Sequence, residues 1–209
     1  QDLNAGADVK FNLTSSLNLD ITLNPDFSQA EVDQQVTNLD RFELFFPEKR
    51  QFFLENADLF ANFGYENIRP FFSRRIGLNN PILGGIRLSG NIDEKWRVGL
   101  LDIQTQAEEE KGLPAENFGV FSLQRKVLDR SSIGMIFVNK QSLGDLEETK
   151  TTSEEYNRNL GLEYNYFSAD NLWNGKLMYL KSFSPGSTDD DAIFAGNLTY
   201  NDNNFRSEE

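Results

Sequence analysis

The sequence predicts an all-β fold, an antiparallel up-and-down meander interrupted by one irregular segment. Three observations predict this fold. Apolar and polar residues alternate with a period of two, turn residues separate the alternating stretches, and no stretch keeps a helical period over more than two turns. The 209 residues can form one domain with a real core or two small domains. We expect nine strands.

The alternation is clearest in four stretches of the chain. Residues 7–13 and 17–23 alternate cleanly on either side of the short turn at 14–16. Residues 160–166 and 194–200 repeat the pattern near the other end. Both faces are apolar in part of the stretch near residue 135, so alternation there is weaker. The five weaker strand candidates are 82–90, 96–104, 117–126, 132–140 and 174–183.

The connections between these strands alternate between short and long from residue 82 onward. The three long connections have net charges of −3, −4 and −3, which together account for about −10 of the net charge of −13. In a meander, alternate connections lie at the same end, so all the long acidic ones share one end. This asymmetry is typical of an outer-membrane β-barrel, and it predicts that the meander forms part of one. The short connections are 91–95, 127–131 and 168–172, and the long ones are 105–117, 141–157 and 183–191.

A soluble β-sandwich or meander is the alternative, because one buried face produces the same alternation. Strand lengths of roughly 8–10 residues suit a membrane-spanning strand. Tyrosines near the strand ends also favour the barrel: Tyr164, Tyr166, Tyr179 and Tyr200. The sequence leaves a soluble β-rich ligand-binding module with an aromatic platform as the competing hypothesis.

Composition excludes several classes of function. A net charge of −13 argues against nucleic acid as a partner, because phosphate binding needs a basic face. The chain has no histidine and no cysteine, which excludes histidine-based triads, thiol nucleophiles, disulfides and the usual zinc sites. No run of eighteen apolar residues predicts a transmembrane helix.

The ends of the sequence suggest part of a longer protein. The chain begins at Gln1 rather than at a methionine, as a mature product or an excised piece does. Bacterial single-chain barrels have even strand numbers and pair the first strand with the last. Because an open edge is not tolerated in lipid, we expect further strands beyond the C-terminus.

Residues 24–81 break the alternation and contain the motifs RFELFFPEKRQFFLENADLF (41–60) and FFSRRIG (71–77). With GADVKFNLTSSLNLDITLNPDFSQAEVD (6–33) and ILGGIRLSG (82–90), they resemble a family of Gram-negative outer-membrane β-barrel proteins of unassigned function. These proteins often carry an N-terminal carbohydrate-binding family-9-like domain, which would precede residue 1. The resemblance implies a barrel with a first hairpin at 1–23, an irregular segment at 24–81 and a meander at 82–209.

The composition of residues 24–81 predicts a plug or constriction folded into the lumen. Between residues 40 and 76, six basic and six acidic residues balance, as ion pairing with a polar wall requires. Burying each of its phenylalanines stabilises the fold by roughly 1.5–3 kcal/mol. A satellite core at the end of the barrel and an external binding surface are the alternatives. The residues predicted to form the constriction or contact a ligand are Arg50, Phe52, Phe53, Arg74, Arg75 and Glu48.

The function predicted from these features is non-enzymatic: the barrel admits or binds a solute, and the family context suggests a saccharide. Carboxylate pairs such as Glu43 with Glu48, or Glu55 with Asp58, have the chemistry for glycoside hydrolysis, but acidic residues are so frequent that chance pairs are expected. The motif SRR (73–75) has the charge to bind an anion, although ion pairing in the lumen is the preferred interpretation.

The predicted partners and cofactors follow from the outer-membrane location. Outer-membrane lipid, lipopolysaccharide and other outer-membrane proteins are the expected neighbours. No cofactor is predicted. STDDDA (187–192) and NDNN (201–204) offer oxygen ligands for Ca²⁺, but they lack the EF-hand spacing. We therefore expect solvated loops there, with calcium binding as the alternative.

Overall fold

The computed structural model describes residues 5–25, 48–78, 80–144, 155–186 and 191–201. In these ranges, nine strands form one antiparallel sheet in which each strand pairs with its neighbours in the chain. The strands are β1 (Ala7–Asn12), β2 (Leu17–Leu23), β3 (Ile82–Asn91), β4 (Trp96–Thr105), β5 (Ala115–Val127), β6 (Ser131–Leu143), β7 (Tyr156–Phe167), β8 (Trp173–Phe183) and β9 (Ala192–Tyr200).

The predicted all-β, up-and-down meander is confirmed, with nine strands in the described ranges. β5 and β6 each have 13 residues and are longer than predicted. The reason is that their backbone pairing continues past the alternating stretch into polar sequence, as in the pair Glu116 and Ser142. β1 and β9 each have a single neighbour, so the sheet is not closed within the described ranges.

Helices are short in the described part of the chain. α1 (Gln51–Leu54) and α2 (Asp58–Ala61) have four residues each, and Ser73–Arg75 and Glu109–Lys111 form single 3-10 turns. Among the described residues, no helix has the length and apolar character that crossing a membrane requires. We call residues 48–78, which contain α1 and α2, the inner segment.

The two faces of the sheet have different surroundings. The inner face contacts the inner segment, and the outer face carries large apolar side chains that stay exposed. In β7, for example, Leu160 and Leu162 lie on the outer face while Gly161 and Glu163 lie on the inner face. The exposed apolar residues of the outer face include Val9, Phe11, Ile86, Leu100, Ile133, Phe137, Leu160, Leu162, Trp173, Leu177, Tyr179, Phe194, Leu198 and Tyr200.

The hydrophobic core lies between the inner segment and the inner face of the sheet. Both the inner segment and the inner face contribute residues to this core, and the described ranges contain no second sheet. A two-sheet sandwich would bury its core between two sheets, so the sandwich form of the soluble alternative does not describe this fold. The core residues are Phe53, Leu59, Phe60, Phe63, Phe71 and Ile76 from the segment, and Ile82, Leu101, Ile103, Val120, Ile136, Met178 and Leu180 from the strands or their ends.

The sheet curls around the inner segment. The segment contacts β1 through Glu55, which binds Lys10, and β9 through Tyr65, whose hydroxyl lies 3.0 Å from Asn197 Oδ1. A flat sheet would place β1 and β9 about 38 Å apart. Residues 55–65 include a turn, the four-residue helix α2 and a bend at 62–64, so they are too short to cover that distance. The inner face is therefore concave.

Two strand glycines create room for aromatic rings of the inner segment. A Cβ atom at Gly161 would lie 2.5 Å from the Phe63 ring, and one at Gly99 would lie 2.7 Å from the Phe60 ring. Both rings are 5–6% exposed and packed on all sides, so they have little freedom to move away. The absence of a side chain at these positions lets the segment approach the backbone of β4 and β7.

We predict that Gly161→Ala lowers the free energy of unfolding by about 1–3 kcal/mol, because the new methyl group overpacks the Phe63 ring. Gly119→Ala is the matched control, since a Cβ atom there would lie 3.8 Å from its nearest neighbour, Asp102 Oδ2; its effect should stay within about 0.5 kcal/mol. Urea unfolding in detergent micelles, followed by tryptophan fluorescence, measures both. Equal stabilities for the two variants would contradict this packing.

Candidate functional site

Buried ion pairs fasten the inner segment to β2 and β3. Arg87 of β3 is 2% exposed, and its Nη2 lies 2.8 Å from Asp20 Oδ2 of β2. Its Nη1 donates to the backbone oxygen of Glu55 at 2.9 Å, while the Glu55 carboxylate accepts from Lys10 and Asn18. The contact with Lys10 is the largest influence on Glu55 and lowers the pKa of its carboxyl. We call this group the first anchor.

A second group of charged residues fastens the opposite side of the segment to β7 and β8. The backbone N–H of Gly64 donates to Glu163 Oε2 at 3.0 Å, and Lys176 Nζ donates to the Gly64 oxygen at 2.7 Å. Lys176 and Glu163 lie 3.1 Å apart, so the two side chains neutralise each other on the inner face. Asn165 also donates to Glu163 at 3.0 Å. These contacts form the second anchor.

A third group joins the beginning of the inner segment to its end. Arg50 binds Glu48 through two nitrogens, at 2.9 and 2.8 Å, and donates to the backbone oxygens of Ser73 and Ile76 at 2.6 Å each. Burial raises the pKa of Glu48, but hydrogen bonds from Arg50 and Ser73 outweigh burial and lower the pKa from 4.5 to about 2. The carboxylate therefore stays ionised at neutral pH.

The structure brings three of the six predicted ligand residues together in this third group. Phe53 is buried, with the guanidinium carbon of Arg50 4.2 Å from its ring centroid, and Glu48 completes the group. Phe52 is half-buried and meets Phe53 edge-to-face at 5.3 Å. Arg50 thus binds Glu48, Ser73 and Ile76, which lie at the beginning and the end of the inner segment. Its predicted role in contacting a ligand stays a prediction.

The remaining predicted residues lie on the 3-10 turn of the inner segment. Arg74 is half-buried and Arg75 is exposed. Phe45 and Phe46, also expected to need burial, lie outside the described residues, as does Glu43. Glu55 contacts Lys10 in the first anchor, and Asp58 pairs with Arg97 of β4 at 2.6 Å, so these two carboxylates are bound to different strands.

The inner segment and the sheet enclose a cleft of about 320 Å³. The cleft lies near the end of β5, β6 and β7 where the long connections emerge. We call it the mouth cleft. Arg75, one of the six residues predicted to form a constriction or contact a ligand, belongs to the lining of this cleft. The strand residues of the lining were not predicted, because their alternation places them on the inner face but does not show that a cleft forms there. The lining of the mouth cleft consists of Glu66, Asn67, Arg69, Pro70, Phe71, Phe72, Arg75, Ile76, Phe118, Val138, Lys140, Asn157 and Asn159.

A second, smaller cavity of about 240 Å³ lies between the inner segment and strands β3 and β4. It is mostly apolar, and Glu48, Phe53, Arg69 and Leu101 are among its lining residues. In the part of the chain that the structure describes, no group of three or more acidic residues is placed to hold a metal ion. Residues 187–190 and 202–204, which belong to the two stretches considered for calcium (187–192 and 201–204), lie outside that part.

Comparison with known protein families gives a match to the first part of the chain. A family model described as a domain of unknown function, DUF5916, matches residues 1–86. This range covers β1, β2, the inner segment and the first half of β3. No curated protein and no solved structure matches the chain. The description of the matching family gives no activity, so a functional argument depends on the geometry of the sheet and the inner segment.

We predict that Arg87→Gln lowers the free energy of unfolding by about 3–5 kcal/mol, because it leaves Asp20 without its partner in a buried site. The matched control is Arg97→Gln, which breaks a more exposed pair with Asp58 and should cost less than about 1 kcal/mol. Urea unfolding of both variants in micelles checks this prediction. A larger loss for Arg97→Gln than for Arg87→Gln would contradict the first anchor.

We predict that Glu48→Gln destabilises the protein at pH 7 by about 2–3 kcal/mol, consistent with the lowered pKa of this carboxyl. Because the folded pKa lies below the unfolded one, the stabilisation is complete above about pH 5 and disappears as the pH falls toward 2. The difference between wild type and Glu48→Gln should shrink over that range. Glu94→Gln, in an exposed turn, is the control, and a pH-independent difference would rule out this assignment.

Proposed function

We propose that the chain forms wall strands of a non-enzymatic β-barrel of the bacterial outer membrane. In this proposal the inner segment is a plug, and the barrel admits or binds a small solute beside it. The observation that carries the proposal is the distribution of side chains on the curled sheet. The outer face carries many large apolar side chains that stay exposed, whereas the inner face carries the core residues and the paired charges that contact the segment.

The outer face supports a hydrocarbon environment. Neighbouring strands place apolar side chains side by side, such as Leu100, Phe121, Phe137 and Leu160 in four consecutive strands. Soluble monomers rarely expose a continuous apolar patch larger than a few hundred Å². A barrel wall requires such a patch, because lipid chains cover it.

Aromatic residues at the end of the sheet that carries the short connections also support an outer face that meets the membrane. Trp96 begins β4, Tyr164 lies near the end of β7, and Trp173 begins β8 beside Tyr200, with 4.8 Å between their ring centroids. All four project from the outer face. Tryptophan and tyrosine concentrate where a membrane meets water, because their rings are apolar and carry one polar group.

The inner face supports a polar lumen that the plug fills. Charged inner-face residues, namely Lys10, Asp20, Arg87, Glu163 and Lys176, pair with one another or with the segment. Such charges would be costly on a lipid-facing surface. β3 to β9 have 9 to 13 residues, which is enough to cross the hydrocarbon layer when tilted.

We predict that Leu162→Arg prevents or weakens insertion into lipid vesicles, costing about 2–4 kcal/mol if residue 162 lies near the middle of the bilayer. In a soluble protein, the same change at a 48%-exposed leucine would alter stability by less than about 0.5 kcal/mol. The barrel hypothesis therefore predicts a large effect of Leu162→Arg, and the soluble-module hypothesis predicts a small one. Insertion is measured by flotation with the vesicles and by the gel mobility of unheated samples.

Leu78→Arg is the matched control, because Leu78 is 74% exposed but belongs to the inner segment. It should leave insertion unchanged. If Leu162→Arg inserts as well as wild type, or if the wild-type chain stays folded and monodisperse in buffer without detergent, the barrel proposal fails. The soluble ligand-binding module would then be supported.

A further inference from the structure

We propose that the smaller cavity, between the inner segment and strands β3 and β4, binds a small uncharged molecule built on one apolar ring. This inference deepens the proposed function by naming the class of solute that binds beside the plug. It rests on that function only for the membrane setting, because the residues that line the cavity all belong to the described ranges.

The walls of the cavity are rich in aromatic rings. Most of the surface inside it is apolar. Phe60 and Phe71 are both buried, and their rings are tilted to each other with 6.2 Å between the centroids. A ring that enters this space removes apolar surface from water, which favours binding. The apolar lining residues are Phe53, Leu54, Ala57, Phe60, Ala61, Phe71, Phe72 and Leu101.

The carboxylate of Glu48, which belongs to the lining, is saturated by hydrogen bonds. Its Oε1 accepts from Nε of Arg50 at 2.9 Å and from the backbone N–H groups of Lys49 and Arg50 at 3.0 and 2.9 Å. Its Oε2 accepts from Nη2 of Arg50 at 2.8 Å and from the Ser73 hydroxyl at 2.6 Å. A carboxylate offers about four lone-pair sites, so these contacts fill its capacity to accept from a ligand. Ser73, also in the lining, donates its one hydroxyl proton to Glu48.

The two arginines of the lining also interact with the protein. Arg87 is 2% exposed and donates to Asp20 and to the backbone oxygen of Glu55, and Arg69 has protein interactions of its own. A charged or hydroxyl-rich ligand would lose its hydrogen bonds to water and would have to displace these contacts to replace them, which is costly. The cavity therefore disfavours an acid group and a sugar ring alike, and it favours a neutral apolar molecule.

The volume of the cavity limits the size of the ligand. The cavity measures about 240 Å³, and an engineered apolar cavity of about 150 Å³, lined by leucine, isoleucine and phenylalanine, binds benzene. Pockets for drug-sized molecules occupy about 300–1,000 Å³. The ligand is therefore a single ring with at most a short substituent.

The mouth cleft gives a solute access to the smaller cavity. Arg69, Phe71 and Phe72 line both spaces, so the two adjoin at these side chains. Phe71 is buried and Phe72 is half-buried. A solute that has reached the mouth cleft therefore enters the cavity by passing these rings, without crossing the sheet.

The test is a fluorine NMR titration of the full chain in detergent micelles with three probes: fluorobenzene, 4-fluorobenzoate and 2-fluoro-2-deoxyglucose. Fluorobenzene should give a bound signal that saturates at one molecule per chain. Fluorobenzene dissolved in the micelles gives a signal that rises without saturation, and empty micelles measure it. The other two probes should give no saturable signal, because the polar groups of the lining are engaged with the protein.

Ala61→Leu should weaken fluorobenzene binding about tenfold or more, because the larger side chain occupies part of the space for the ring. Ala57→Leu, at a second position of the lining, should have the same effect. Ala107→Leu is the matched control, since Ala107 is exposed in the connection after β4 and does not line the cavity. It should bind fluorobenzene as wild type does.

Circular dichroism and the gel mobility of unheated samples show whether each variant folds. Four results would each overturn the proposal: no saturable fluorobenzene signal, equal binding of either polar probe, wild-type binding by a folded Ala61→Leu or Ala57→Leu, or an equal loss in Ala107→Leu. If neither lining variant folds, the comparison of the three probes on the wild-type chain decides the question.

Vesicle insertion of the same preparation separates the two proposals. Insertion without saturable fluorobenzene binding overturns the ring site and leaves the barrel standing. Fluorobenzene binding by a chain that does not insert keeps the site and overturns the barrel.

Discussion

The fold depends on the burial of aromatic rings from the inner segment against one face of a single sheet. A sheet must cover an apolar face with another layer, and here the inner segment provides that layer. The buried hydrophobic residues of the described ranges are divided between the segment and the inner face. Gly99 and Gly161 set how closely the two approach, because Phe60 and Phe63 occupy the space that their missing side chains leave.

Polar contacts determine where this layer lies on the sheet. Hydrophobic packing has little directionality, whereas the two anchors tie Glu55 to β1–β3 and Gly64 to β7 and β8 through hydrogen bonds of defined length. The pair of Glu48 and Arg50 closes the segment on itself. Within the described ranges the outer face makes no such contacts with the segment, and many of its apolar side chains are exposed. The proposed membrane location follows from this division of roles between the faces.

Most of the fold could be predicted from the sequence, because period-two alternation and turn residues locate strands directly. The alternation in β7 separates Leu160 and Leu162 from Gly161 and Glu163, but it does not tell which face meets the inner segment. Arg87 was missed for this reason: its role in an anchor depends on partners 67 and 32 residues away in sequence. Of the residues predicted to form a constriction or contact a ligand, Arg75 belongs to the lining of the mouth cleft and Arg50 binds the backbone oxygens of Ser73 and Ile76; their predicted roles stay predictions.

The most direct test of the account is the environment of the outer face in a lipid bilayer. The chain has no cysteine, so single spin labels can be attached after Leu162→Cys on the outer face and Asn159→Cys on the inner face. Electron paramagnetic resonance of vesicle-bound protein then compares collisions with oxygen, which dissolves in lipid, and with a water-soluble nickel chelate. The account predicts that the label at 162 collides with oxygen and is shielded from the chelate, while the label at 159 is shielded from lipid. Free access of the chelate to the label at 162 would contradict it.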